Sequence, residues 1–200
     1  MSVKLYIEGG GDGAHLDALF RRAWTKFFEN AGLVGRMPGV VRCGSRTEAL
    51  RDFASAIEAN RTNDFPMLLV DSEESFAQAG SIVEHLRHRD QWQAPAGVSD
   101  DQCFLMVQVM ETWLLCDVDT LKAYFGQGFR AAAVRAWPDL EQVSKPTVLD
   151  ALKTATTTCN KRYAKGKVSF ELLERITPAK VEGQCPQAKR LLDRLRARPR

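Results

Sequence analysis

Pro66-Met67-Leu68-Leu69-Val70-Asp71-Ser72-Glu73 is the stretch that decides how this chain is read. An uninterrupted apolar run of this length predicts a strand covered on both faces of a sheet. The strand ends in acids. The chain opens on a similar unit: Val3-Lys4-Leu5-Tyr6-Ile7 is short and β-rich, and it runs into Glu8-Gly9-Gly10-Gly11-Asp12-Gly13. Leu16, Leu19, Phe20, Ala23, Trp24, Phe27 and Phe28 then recur with helical spacing. Strand, glycine turn and amphipathic helix follow one another, and the pattern continues. Val40-Val41-Arg42-Cys43 predicts a second strand, and Ser45-Arg46-Thr47-Glu48 predicts a capping box opening a helix to about Ala59. A helix carries Ile82, Val83 and Leu86. Phe104 to Val109 forms another central strand, and Met110 to Leu115 leads into a further helix.

Alternation of this kind predicts an α/β fold with a mainly parallel sheet flanked by helices. From Arg130 the pattern is helical, broken at Pro138, Pro146, Pro178 and Pro186. The expected organisation is an α/β domain over residues 1–128 and a helical, basic C-terminal extension over 129–200 packing on it, together one structural unit. A chain of 200 residues with 44% hydrophobic residues can bury a sizeable core. Its apolar runs are far shorter than the roughly 20 residues that cross a bilayer. The N-terminus enters strand-like sequence directly, so a cytoplasmic protein without a membrane span is expected. Five cysteines at wide spacings, with no C-x-x-C pair, predict reduced structural thiols. His15, His85 and His88 lack the spacing of a zinc site and are expected at the surface.

The net charge of +3 is uneven. Residues 161–200 hold twelve Lys or Arg against four acids, a balance of +8 that leaves −5 on the preceding part. A basic end beside acidic strand ends suits a metal site next to a surface holding a phosphate backbone. A solvated basic tail is the plainer reading.

Open α/β sheets place ligands beyond the C-terminal ends of their strands. Glu8 and Asp71 both sit there. In extended backbone Asp71 and Glu73 would point to one side and Glu74 away. Glu8, Asp71 and Glu73 therefore offer the hard oxygen ligands that Mg²⁺ or Mn²⁺ prefers, and Glu8 would bind the ion or take a proton from a nucleophile. Gly9 and Gly10 would let the backbone approach a phosphate. No Gly-Lys-Ser or Gly-Lys-Thr follows, so this is not a Walker loop. Equally, Glu8 and Asp12 could be acids near a helix start, and Asp71-Ser72-Glu73 could cap the next helix. Lys161, Lys165 and Lys167 lie in a basic, glycine-containing stretch that could bind phosphate, with Tyr163 offering a face to an unpaired base, or form an ordinary surface loop.

Leu5-Tyr6-Ile7-Glu8-Gly9 and Leu68-Leu69-Val70-Asp71-Ser72-Glu73 resemble the strand-Glu-Gly and D-x-D stretches of the TOPRIM superfamily. More closely, the chain resembles the TOPRIM-related family of unknown function DUF4276. That resemblance runs through Glu8 to Asp12, Asp71 to Glu73, Met106 to Trp113, Lys165 to Phe170 and Cys185 to Ala188, in family order. It implies a TOPRIM-like fold and, by analogy with characterised relatives, a metal-dependent nuclease related to the OLD type. It also implies an RNA substrate (tRNA included) or DNA, and an anti-phage effector controlled by an ABC-like AAA ATPase partner. Glu73 departs from the usual second Asp. Glu111 falls in the family's Gln-x-Met-Glu-x-Trp stretch with Gln108, and the resemblance suggests that it joins the acids or orients a metal-bound water; it could instead satisfy buried donors. A TOPRIM-like module without catalysis, serving as regulatory partner of an ATPase, is the alternative function. An enzyme acting on small phosphoesters ranks third.

Overall fold

β3 (Asp64–Asp71) lies at the middle of the sheet, between β1 (Ser2–Ile7) and β4 (Cys103–Met106), with β2 (Gly39–Arg42) outside β1. In the computed structural model, which describes residues 2–9, 14–59, 63–77, 79–134 and 136–197, all three strand pairings are parallel. The register sets Ile7 beside Leu69 and Asp71 beside Met106, so the ends of β1, β3 and β4 open on the same side.

Strand periodicity sorts the core into two layers. Leu5, Ile7, Met67, Leu69, Phe104 and Met106 face one apolar cluster, and Leu68, Val70, Cys103 and Leu105 face the other. The smaller layer is covered by α2 (Arg46–Glu58) and α3 (Ile82–Asp90) through Ala49, Leu50, Phe53, Ile82 and Leu86. Ser45 caps α2 with the reciprocal Glu48 contact that the sequence predicted. On the larger layer α1 (Ala14–Asn30) buries Phe20, Trp24, Phe27 and Phe28. Trp113, in the short α4 (Glu111–Leu115), stacks on Phe27 with ring centroids 5.4 Å apart. Such pairs add about 0.5–1.5 kcal/mol each beyond burial.

The C-terminal part contributes α6 (Lys145–Ala155), α7 (Lys167–Leu173), α8 (Pro178–Gln184) and α9 (Pro186–Arg196), after α5 (Val118–Phe125). Val148, Leu152, Leu172, Leu191 and Leu195 belong to the same cluster as Leu5 and Ile7. Residues on either side of position 128 thus share one core. Among the described residues no helix is long and apolar enough to cross a membrane.

Several expectations need correction. β4 stops at Met106 and lies at a sheet edge, so Val107 to Val109 form the connection to α4 and not a central strand. His85 is not a surface residue: its ring packs edge-on against Phe76, and Nε2 lies 3.1 Å from the Ser72 carbonyl. His88 is exposed, as expected, and the side chain of His15 lies outside what is described. The five cysteines are buried and unbridged. Much of the C-terminal positive charge is taken up internally. Arg196 forks onto Glu182 at 2.6 and 2.8 Å, Lys180 binds Asp117 at 2.7 Å, and Arg190 donates to the carbonyls of Asp100 and Cys103.

Candidate metal centre

Each acid is placed by backbone bonds at a strand end. The Glu8 N–H donates to the Leu69 carbonyl at 3.0 Å, and the Gly9 N–H to that of Gly44 at 2.9 Å, which extends the β1 pairing past Ile7. Asp71 closes β3. Its N–H donates to Glu8 Oε2 at 3.2 Å, and its Oδ1 accepts the Met110 N–H at 2.9 Å. Glu73 reaches the same place by another route than strand alternation. The chain leaves the strand at Asp71, and Glu73 adopts a left-handed φ of 66° with its N–H on the Gln108 carbonyl at 2.8 Å. A turn, not the pleat, brings it back. The result is one carboxylate oxygen from each of Glu8, Asp71 and Glu73 lying within 4.8 Å of the others. The capping alternative fails, because α3 begins only at Ile82 and is capped by Ser81. Glu74 is exposed, with its carboxylate 3.9 Å from His85 Nδ1.

Crowded, desolvated carboxylates resist ionisation. Burial pushes Asp71 well above the usual carboxylate range, and the charges of Glu8 and Glu111 push it further, with Lys165 and Lys145 pulling back. Burial also raises Glu8, against the Arg46 guanidinium and the Asp71 N–H; the Glu73 charge adds to the rise. A dication among these oxygens would relieve both the repulsion and the desolvation. Three carboxylates form the hard donor set that Mg²⁺ or Mn²⁺ takes, so the residues fit such an ion.

Beside the cluster is a cleft of about 330 Å³. Glu8, Asp71, Glu111 and Lys165 supply its polar lining, and Trp24, Met106, Met110 and Phe170 its apolar wall. Glu111 is fully buried at the start of α4. Its Oε1 accepts from the Tyr163 hydroxyl at 2.8 Å and the Ser169 hydroxyl at 3.0 Å, while Oε2 has no hydrogen-bond partner. Lys165 Nζ lies 4.0 Å from that oxygen. Tyr163 is therefore not a stacking platform for a base: it is buried and committed to Glu111, and burial together with the Glu111 charge pushes its phenol far above the usual range.

The other candidates divide. Lys165 joins the cleft, whereas Lys161 binds Glu171 at 2.6 Å and lies over the Tyr124 ring, and Lys167 opens α7 with Glu171 3.9 Å away. Gly9 lines the cleft, but its lack of a side chain has a packing reason as well: a Cβ there would fall 2.6 Å from the buried Phe20 ring. Gly10, Gly11, Asp12 and Gly13 lie outside the described residues. Gln108 is a structural bracket, its backbone carbonyl holding Glu73 and its side-chain oxygen accepting the Lys145 N–H at 3.1 Å.

Two cations escaped the sequence reading. Lys145 Nζ lies 2.5 and 2.6 Å from the two oxygens of Glu73. Arg46 forks onto Asp90 at 2.8 and 2.7 Å, donates to the Asp71 carbonyl, and sits 3.6 Å from Glu8 Oε2. Burial opposes its charge, and the Asp90 carboxylate outweighs that and keeps it charged. Both are the first residue of a helix after a Ser N-cap, where the helix dipole disfavours a cation. That mismatch was the available signal.

A family model described as "Domain of unknown function (DUF4276)" matches residues 7–196. Comparison with curated proteins and with solved structures finds no match in either.

Proposed function

Since the chain belongs to DUF4276, a family whose description names no activity, the site itself has to carry the reading, and we propose a TOPRIM-like, Mg²⁺- or Mn²⁺-dependent hydrolase of phosphodiester bonds in nucleic acid. The observation that carries this is the convergence of Glu8, Asp71 and Glu73 at the ends of parallel strands, beside a cleft of about 330 Å³. In this reading those three carboxylates hold the cation. When bound, it would stabilise charge on the phosphate oxygens and make hydroxide available near neutral pH. Glu8, whose carboxylate, like that of Asp71, accepts one backbone N–H and also faces Arg46, accepts the proton of the attacking water. Glu111, held by Tyr163 and Ser169, presents its free oxygen to orient that water, and Lys165 at the cleft binds a phosphate oxygen. The resemblance adds the biological setting of an effector governed by a partner ATPase.

A module without catalysis is less well supported. Burying carboxylates that repel one another costs stability, and a scaffold gains nothing from that cost. The substrate grip rests on fewer cations than composition suggested, because the C-terminal arginines and lysines are largely paired within the fold. The decisive experiment pairs Mn²⁺ binding by calorimetry with cleavage of single-stranded RNA and DNA. Saturable binding should depend on Asp71, and Glu8→Ala should abolish cleavage while keeping the parent's circular dichroism. A folded Glu8→Ala protein that cuts as fast as the parent removes the catalytic assignment.

A further inference from the structure

Glu73 has two commitments that cannot both be kept in full. One of its oxygens belongs to the acid cluster, yet both lie on the Lys145 ammonium. The backbones of the two residues are fixed independently of this pair. Gln108, itself buried, accepts the Glu73 N–H on its carbonyl and the Lys145 N–H on its side chain. Only the side chains are free to exchange partners, and both are partly exposed. Lysine suits such an exchange, being a point charge on a flexible stem. Its place at the first position of α6 works against the helix dipole, so helix formation does not account for it. Next to the pair is an open depression of about 500 Å³ lined by Glu73, Lys145, Pro146, Leu149, Asp150 and Lys153. That the neighbouring site is built for a ligand has separate support in the buried, unpartnered Oε2 of Glu111.

Resting on the metal reading above, we propose that Lys145 is a phosphate anchor kept neutralised by Glu73 until a divalent cation draws Glu73 away. Without the cation, the ammonium is masked and an anionic substrate finds one fewer positive contact. With it, Glu73 turns to the metal and Lys145 is released beside the cluster, where it takes a non-bridging oxygen of the phosphodiester. Cation and phosphate then bind cooperatively, and linkage requires the coupling to be the same in both directions. The ligand class is a phosphodiester whose chain continues into the depression beside α6.

Calorimetric titration with Mn²⁺, alone and in the presence of dimethyl phosphate, tests this on the full chain. The parent should bind Mn²⁺ about 5-fold or more tightly when the phosphodiester is present, the lower end of ordinary coupling. Lys145→Met should bind Mn²⁺ alone more tightly than the parent, because the competing ammonium is gone, and should lose the phosphate enhancement. Lys145→Arg, which keeps the charge and guards against misfolding in the Met variant, should bind Mn²⁺ alone as the parent does. If parent and Lys145→Met bind Mn²⁺ equally well, or if the enhancement survives in Lys145→Met, the anchor is refuted while the metal centre stands. If neither protein binds Mn²⁺, the metal centre and the anchor fall together.

Discussion

Asp71→Asn separates function from stability at the centre of the site. The amide keeps an oxygen for the Met110 N–H that Asp71 Oδ1 now accepts, so the backbone bracket survives. What disappears is one charge among acids whose oxygens lie within 4.8 Å of one another. At an effective dielectric constant of about 20, each such pair repels by about 3 kcal/mol. Lys145 and Lys165 offset part of this, leaving a net gain of about 1–2 kcal/mol for the metal-free variant at a pH alkaline enough to ionise the cluster. For a chain of this size that corresponds to roughly 2–8 °C in Tm. Mn²⁺ should reverse the order. At a hundred times its Kd, an ion that binds only the folded state adds about 2.7 kcal/mol to the parent, and it should add nothing to Asp71→Asn. Thermal melts of both proteins with EDTA and with Mn²⁺ provide the four values needed. A variant less stable than the parent in EDTA, or one that Mn²⁺ stabilises equally, would show that Asp71 is neither a burden in the empty site nor a ligand in the filled one.

Two further outcomes concern residues other than the three clustered acids. Glu141, buried and accepting the Gln187 N–H at the start of α9, is pushed up to about 7 by burial, against an ordinary value of 4.5. The folded state therefore holds this proton more tightly than the unfolded chain; the stabilisation is complete below pH 4.5 and is lost as pH rises to about 7. Glu141→Gln should remove that loss, gaining up to about 3 kcal/mol over the parent at pH 8 and little at pH 4 in urea unfolding; equal gains at both pH values would contradict it. Gly9→Ala would set a methyl 2.6 Å from the Phe20 ring. Overpacking of this kind costs about 1–3 kcal/mol, so a variant with parental stability would mean that Phe20 yields easily and that Gly9 is not needed for packing.

Where the chain's own chemistry is local, the sequence was legible. Met67 to Val70 read as a buried central strand because apolar residues covered both faces, and Ser45 with Glu48 read as a helix start because the reciprocal cap lies within four residues. Glu8 and Asp71 followed from their place at strand ends. Contacts made across long sequence separations were not legible. Lys145 meets Glu73 over 72 positions, and Tyr163 meets Glu111 over 52. Nothing in the residues around Tyr163 distinguishes a buried hydrogen-bond donor from an exposed aromatic ring. Glu73 shows how a placement can be anticipated for a mistaken reason: alternation set it beside Asp71, whereas a left-handed turn does so in the fold. The basic C-terminal stretch misled in the opposite sense, since charge counts do not register that Arg196 and Lys180 already have carboxylate partners.

The single core that joins Val3 and Leu5 to Leu191 and Leu195 also sets a schedule for the nascent protein. On the ribosome, β1 with Glu8 emerges before the other elements of this fold, but it cannot complete its apolar layer until α9 has been made. Lys145 is likewise synthesised long after Glu73, and Tyr163, Lys165 and Ser169 long after Glu111. The site is therefore assembled late in translation, and a chain that stalls before α9 leaves the layer beneath β1 and Glu8 without Leu191 and Leu195.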